Sequence, residues 1–390
     1  MAIDISEFEF REEDLGPLKI AKTTDFEYIP GMREQGKGVK ISCPHDYGVL
    51  KTALIGNAGS IFIPDPDQPE MHNLLSASGS KEFMDFLRQH KGRHMAISFP
   101  EHYEKMKHES DMLAKTYRDN GVRLIRNETN TITEELLAWQ IPVTGDMHLS
   151  LYGQSGGEVF DNIFMSMWEV GAVRGIEFQH RDAFLEIFEN DPGAIWMTMP
   201  MPAPTGRQKS PQPFLSPGDP RIMPDKLVII GIGVTDPAHI KDPTKPRSSG
   251  FEIGADMMRR MLEPFGWRVE TVYFNSKYTY HIDCLMMQID EGIYAIPETN
   301  PDLGPPFWTD LPKEIKDKWE CVEIPFEDQQ NGGCNTVTLG NGKFVIDEAC
   351  ERSMEILAKK GYTPIPTPWQ ANWHTFHSGV HCSTLRLEAE

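Results

Sequence analysis

The 390-residue sequence predicts an α/β protein in which a strand–helix–strand unit recurs and closes into one quasi-symmetric domain. Three observations predict it. Short apolar strands alternate with amphipathic helices along most of the chain. Glycine or Asn-Gly marks the helix ends and hairpin turns of successive units. The unit, roughly 40–60 residues long, returns several times, which favours one closed array over two or three separate domains.

Residues 1–44 are polar and acidic and read as an irregular N-terminal extension; residues 45–390 read as a single domain. "VLKTALIG" (49–56) is the opening strand. "HYEKMKHESDMLAKTYRDNGVRLIR" (102–126) is a helix ending at Asn120-Gly121, then a strand. Thr131 and Glu134 are spaced as a capping box. Residues 160–188 are mostly helical by periodicity. The Pro-rich stretch 199–220 excludes regular helix and reads as a long loop. "DKLVIIGIGV" (225–234) is too apolar to be half exposed, so it is a buried strand. "GFEIGADMMRRMLEPFG" is a helix ending at Gly266, and "WRVETVYF" the next strand. "HIDCLMMQIDEGIYAIP" and "CNTVTLGNGKFVID" are hairpins, turning at 290–292 and 340–342. The final unit is a helix, Gly361 and a strand.

Composition bounds the function. Apolar content of 39% and charged content of 25% are ordinary for a soluble globular chain. The sequence has no run of the ~20 apolar residues that span a membrane. The acidic start lacks the apolar core of a signal or transit peptide, so a cytoplasmic protein without a membrane partner is expected. A net charge of −20 with no Lys/Arg stripe argues against nucleic acid. The carboxylate excess suits a cationic small ligand or plain solubility. Six cysteines, Cys43, Cys284, Cys321, Cys334, Cys350 and Cys382, are scattered without a CxxC pair, so neither a disulfide scaffold nor a zinc ribbon is expected.

The residues that could carry chemistry lie in four stretches. "HSGVHCST" places Cys382 behind small residues that let a substrate approach a thiol. Its His377 and His381 have i,i+4 spacing, but Ser-Gly argues against the helix a metal site would need, and no metal is expected. In "YTYHIDCLM", His281 and Asp283 alternate on an expected strand and so share one face. Asp219 in "SPGDPRIM" and Asp146 in "IPVTGDMHL" each follow a glycine. One thiol, one histidine and three aspartates suit a planar cation: carboxylates accept the forked N–H groups of a guanidinium. A thiolate can add to its carbon, and a histidine can move protons to and from the amines. No cofactor is needed.

With these residues in view, the chain resembles the amidinotransferases of the guanidino-group-modifying (pentein) superfamily, from about residue 44 onward. "GVLKTALIGNAGSIFIP", "GDMHLSLYGQSGGEVF", "GDPRIMPDKLVIIGIGVTD", "HID", "NTVTLGNGKFVID" and "SGVHCST" carry the resemblance in order. It implies a five-bladed α/β propeller of pseudo-fivefold ββαβ repeats, with 45–390 as the catalytic domain. It also implies Cys382 as nucleophile, His281 as general acid/base and Asp219 as catalytic carboxylate. Asp146, Asp283, Asn300 and Asn335 fall at substrate-binding positions. Asn300 stands where an arginine would receive a substrate carboxylate, and Gly332-Gly333 stand where a serine is expected. The implied partners are a guanidino donor, with L-arginine foremost, and an amine acceptor. A homodimer is compatible with the resemblance. The alternative acceptor is water, which makes the enzyme a deiminase or dihydrolase. A Cys–His protease lacks a recognisable signature around Cys382, and a mere binding protein has no use for the thiol.

Overall fold

Among the described residues of the computed structural model, five three-stranded sheets repeat one pattern. The structure describes residues 12–22, 24, 27–63, 65–67, 81–134, 151–168, 177–200, 213–245 and 247–390. In chain order the strands are β1 (Lys19–Ala21), β2 (Leu50–Ile55), β3 (Arg123–Ile125), β4 (Thr131–Thr133), β5 (Gly157–Phe160), β6 (Ile163–Ser166) and β7 (Ile195–Thr198). They continue as β8 (Pro220–Met223), β9 (Leu227–Val234), β10 (Arg268–Asn275), β11 (Met287–Asp290), β12 (Ile293–Pro297) and β13 (Glu320–Ile324). The last are β14 (Val337–Gly340), β15 (Lys343–Asp347), β16 (Thr363–Thr367) and β17 (Thr384–Ala389).

In each three-stranded sheet an antiparallel pair is followed by a parallel third strand. The sheets are β5–β6–β7, β8–β9–β10, β11–β12–β13, β14–β15–β16 and β17–β2–β3. A parallel partner needs a crossover, and helices are placed in these connections. Among them are α1 (Pro100–Asp119), α2 (Glu177–Asn190), α3 (Glu252–Leu262) and α4 (Glu351–Lys359). Gly121 and Gly361 end α1 and α4 with φ of +81° and +95°, the left-handed turn that glycine adopts without steric cost. The last strand, β17, completes the first sheet by pairing Leu385 with Leu54, so the two ends of the chain hold one sheet together.

Consecutive sheets share cores. Leu54 and Leu385 pack with Val159 and Phe164; Phe160 and Ile163 with Ile222 and Val228. Met223 and Leu227 pack with Leu285 and Tyr294; Met287 and Ile293 with Phe344 and Ile346. Val337 and Val345 pack with Leu50 and Ala53, which links the last sheet to the first. All eight residues of β9 are buried, as its unbroken apolar run requires. Each such Val or Ile contributes roughly 1.5–3 kcal/mol against the entropy of ordering it.

Four local expectations differ from the structure. Residues 157–166 form a hairpin, and among the described residues of the stretch read as helical the helix is the part that begins at Glu177, in Glu177–Asn190. The turn at Asp161, with φ +57°, breaks the periodicity there. Thr131 is a strand residue paired with Lys19 rather than a helix cap. His281 and Asp283 do not alternate on a strand, because Ile282–Cys284 is a 3-10 turn that aims them differently. The N-terminal stretch read as irregular contributes β1, parallel to β4, and a short helix, Met32–Gly36, against α2. Ile29, Met32, Val39 and Ile41 join Ala183, Phe184 and Ile187 in one core. No helix among the described residues is long and apolar enough to cross a membrane.

Candidate active site

The first strand of each repeat delivers polar residues at or just before its start. Glu158 lies in β5, Asp219 and Arg221 flank the start of β8, and His281 and Asp283 precede β11. Asn335 precedes β14, and His381 and Cys382 precede β17. All but His281 are buried, and His281 is half-buried. Burial of so many polar groups is costly unless they satisfy one another or await a ligand.

Asn335 is the hub. Its Oδ1 accepts from the backbone N–H groups of His381 (2.8 Å) and Cys382 (3.1 Å), so it shapes the loop that carries the thiol. Its Nδ2 faces Asp283 Oδ2 at 3.1 Å, Cys284 Sγ at 3.1 Å and Cys382 Sγ at 3.2 Å. Two N–H groups thus serve three acceptors. Cys382 Sγ also stands 3.5 Å from Asp283 Oδ2. A hydrogen bond with the Cys284 thiol pulls the Cys382 pKa down, but burial and the Asp283 charge together outweigh it. The thiol therefore sits above its ordinary value and is protonated at neutral pH. Asp283, Cys284 and Cys382 also present their ligand atoms within 4.8 Å of one another, a soft donor set.

A buried chain of polar contacts supports this cluster from the other side. His381 Nδ1 meets Asp283 Oδ2 at 3.1 Å, and His381 Nε2 meets Arg221 Nη1 at 2.7 Å. Arginine can only donate, so His381 accepts at Nε2 and carries its proton on Nδ1, which it gives to Asp283. Burial and the Arg221 charge both lower the His381 pKa, which keeps the ring neutral. Burial would raise Asp283, but the hydrogen bond from the neutral His381 ring, the His281 field and the Arg221 charge hold its carboxyl well below the usual range. Arg221 Nη2 reaches Asp46 Oδ2 at 3.4 Å, and Asp46 Oδ2 accepts the Ile222 N–H at 2.9 Å.

His281 lies against Gly218, the residue before Asp219. A Cβ on Gly218 would sit 2.5 Å from His281 Nδ1, so glycine is what admits the ring. His281 Nε2 is buried without a hydrogen-bond partner among the described residues. Such a nitrogen is free to exchange a proton with a bound amine. Asp219 is fully buried, and its Oδ2 accepts the Ser216 N–H at 2.8 Å. Gly218→Ala is expected to push the imidazole aside and lower turnover about 10²-fold, the scale of a 1 Å misplacement. Steady-state kinetics beside a thermal melt will check this. A loss of stability as large as the loss of activity would mean the contact is structural only.

Glu158 was not singled out in the sequence, although "GGEVF" places it behind two glycines. Its Oε2 accepts from Gln154 Nε2 at 2.9 Å, and Gln154 N–H donates to the Cys382 carbonyl at 3.1 Å. Burial first, and then the Asp46 charge, push its carboxyl up to about 8. The folded state therefore holds a proton that the unfolded chain releases near pH 4.5. The stability this provides is present in acid and is lost as pH rises from about 4.5 to 8, with a slope of about 1 kcal/mol per pH unit. Glu158→Gln, read by melts across that window, is expected to flatten the slope. An unchanged slope would remove Glu158 as its source.

Of the expected site residues, Cys382, Asp283 and Asn335 are brought into direct contact. His281 joins them through its field on Asp283, and Asp219 through the 216–219 loop, whose Gly218 carbonyl accepts the Asp283 N–H at 3.3 Å. Asp146 lies outside the described residues. Asn300 is engaged locally: its N–H donates to Tyr278 Oη (2.7 Å) and its Oδ1 accepts from Asp302 N–H (2.9 Å). Asp46, Glu158 and Arg221 were missed, and only "GDPRIM", with Arg221 two places after Asp219, offered a signal.

No family model and no curated protein matches the sequence. Solved structures do match. SxtG, an amidinotransferase from Microseira wollei in the saxitoxin biosynthetic pathway, superimposes with a TM-score of 0.65 at 16% identity, covering 90% of this chain and 97% of its own. The inosamine-phosphate amidinotransferase StrB1 from Streptomyces griseus gives 0.64 at 17% identity, with the same coverage of 90% and 97%. The N-terminal domain of ArgZ, a cyanobacterial arginine dihydrolase, gives 0.54 at 14% identity, covering 87% and 98%.

Proposed function

We propose that this chain, whose fold is that of the amidinotransferase-like pentein proteins, transfers an amidino group from a guanidino donor to an amine through a covalent Cys382 intermediate. On this reading the five sheets are the blades of a propeller, residues 45–390 are one catalytic unit, and residues 1–44 extend it. L-Arginine is the donor we favour. The observation that carries the proposal is the buried Cys382 thiol beside Asp283, clamped by Asn335, in a cluster of buried carboxylates whose cation among the named groups is Arg221.

A guanidinium entering this site would be held by Asp283, Asp219 and Glu158, with Asp146 as a further expected contact. Its positive charge favours the ionised form of Glu158, so binding at neutral pH releases a proton. The Cys382 sulfur then attacks the guanidine carbon. The carbon–nitrogen bond breaks, and the thiol proton reaches the departing amine through His281. The products of this half-reaction are a neutral amine and a cationic amidino-thioether on Cys382. An incoming amine attacks that carbon, gives its proton to His281, and the proton returns to the sulfur. Nothing in this sequence requires a cofactor. Water in place of the amine would release urea, the second reading, favoured by the dihydrolase among the structural neighbours.

The test is intact-protein mass after mixing with arginine, agmatine and related guanidino compounds and quenching in acid. The expected result is one amidino adduct with a preferred donor, discharged by an amine faster than by water. Discharge by water alone would make the enzyme a hydrolase. No adduct with any donor would overturn the amidino chemistry.

A further inference from the structure

The proposed mechanism uses one of two neighbouring thiols. Cys284 and Cys382 are 6% and 7% exposed, and their sulfurs lie within 4.8 Å of each other. The same Asn335 Nδ2 reaches both, at 3.1 and 3.2 Å. The Cys382 hydrogen bond raises the Cys284 pKa, and burial and the Asp283 charge raise both thiols, so both are protonated at rest; the shared amide N–H is placed to hydrogen-bond whichever sulfur gives up its proton. The pair comes from two distant parts of the chain, the 3-10 turn before β11 and the loop before β17. Each loop is fixed: Asn335 Oδ1 holds the backbone of His381 and Cys382, and the Gly218 carbonyl holds the Asp283 N–H.

We propose that Cys284 and Cys382 form a dithiol modification site that takes a hydroperoxide and becomes an internal disulfide. In the first step the Cys382 sulfur attacks a peroxide oxygen, the O–O bond breaks, and hydrogen peroxide leaves one water and a Cys382 sulfenic acid. In the second step the Cys284 sulfur attacks the sulfenic sulfur. The S–O bond breaks, a second water leaves with the Cys284 proton, and the S–S bond forms. The two thiols supply two electrons and the peroxide accepts them. The second step is intramolecular between sulfurs already apposed, so it outruns further oxidation to the irreversible sulfinic acid. A disulfide is about 2 Å long, so closure draws the two sulfurs together from a separation within 4.8 Å. Cys284 is thereby a guard for Cys382: the first oxidation is stored in a form that a reducing thiol reverses. The expected loss of turnover on oxidation rests on the proposed function; the cross-link itself rests only on the two thiols.

The experiment treats the full chain with hydrogen peroxide, blocks free thiols and maps peptides by mass, with and without dithiothreitol. The amidino-adduct assay on untreated protein is run separately, so a failure of the catalytic reading is seen on its own. The expected result is one cross-linked peptide pair joining Cys284 to Cys382, lighter by two hydrogens and reversed by dithiothreitol. In Cys284→Ala and Cys284→Ser the Cys382 peptide is expected instead to gain two or more oxygens that dithiothreitol does not remove. Oxygen adducts on Cys382 of the unaltered chain without a cross-link would overturn the proposal, as would an unmodified Cys382 under peroxide that oxidises exposed Cys321.

Discussion

Cys382→Ser is expected to abolish the amidino adduct with every donor and to lower turnover on the order of 10⁴-fold or more, the scale of losing a covalent nucleophile. The fold should barely notice. Asn335 Oδ1 binds the backbone of residues 381 and 382 and not the sulfur, so the loop keeps its shape with serine in place. The thermal midpoint is therefore expected to stay within a few degrees, and the variant should still bind the donor. The assay also discriminates between the two thiols that Asn335 holds. An adduct that persists in Cys382→Ser and disappears in Cys284→Ser would move the nucleophile to Cys284. Residual turnover with no adduct in either variant would mean direct transfer without a covalent intermediate.

Arg221→Met is expected to produce the largest loss of stability of any single change in the site. Arg221 is nearly fully buried and is the cation that faces Asp46, Glu158 and the His381 ring. Removing one partner of a buried ion pair leaves an uncompensated charge and costs roughly 3–5 kcal/mol. Denaturant melts will measure it. Adding Asp46→Asn to Arg221→Met is expected to restore part of the loss, because the orphaned carboxylate is then gone. Arg221→Met also frees His381 Nε2 from accepting, so the His381 pKa should rise, visible as a titrating imidazole resonance. A loss under about 1 kcal/mol, or no rescue by Asp46→Asn, would mean that Arg221 is not the counter-ion of this cluster.

The local elements were legible where the chain carries strong local signals. Glycine after a helix marked Gly121, Gly266 and Gly361, each found at positive φ. Unbroken apolar character marked β9, and turn residues marked the hairpins at 290–292 and 340–342. Failures came where a short turn competes with a longer period, as at Asp161, or where a 3-10 turn replaces a strand, as at Ile282–Cys284. The same holds for the site. Cys382 and Asp283 stand out by residue type and by their small or polar neighbours. Cys284 and Arg221 lie within the same quoted stretches, yet nothing in those stretches says that one will touch Cys382 and the other His381.

By itself the sequence determined the repeated α/β units, the acidic character and the thiol, imidazole and carboxylate types on offer, because these follow from periodicity, composition and side-chain chemistry. Tertiary structure alone decided that Asn335 would clamp two thiols and a carboxylate from three separate segments. It also decided that His381 would be held neutral between Arg221 and Asp283, and that Glu158 would lie close enough to Asp46 to keep its proton. The physical reason is that these properties are differences in distance and burial between residues far apart in the chain. They come into being only when the first strands of successive sheets bring their starting residues together.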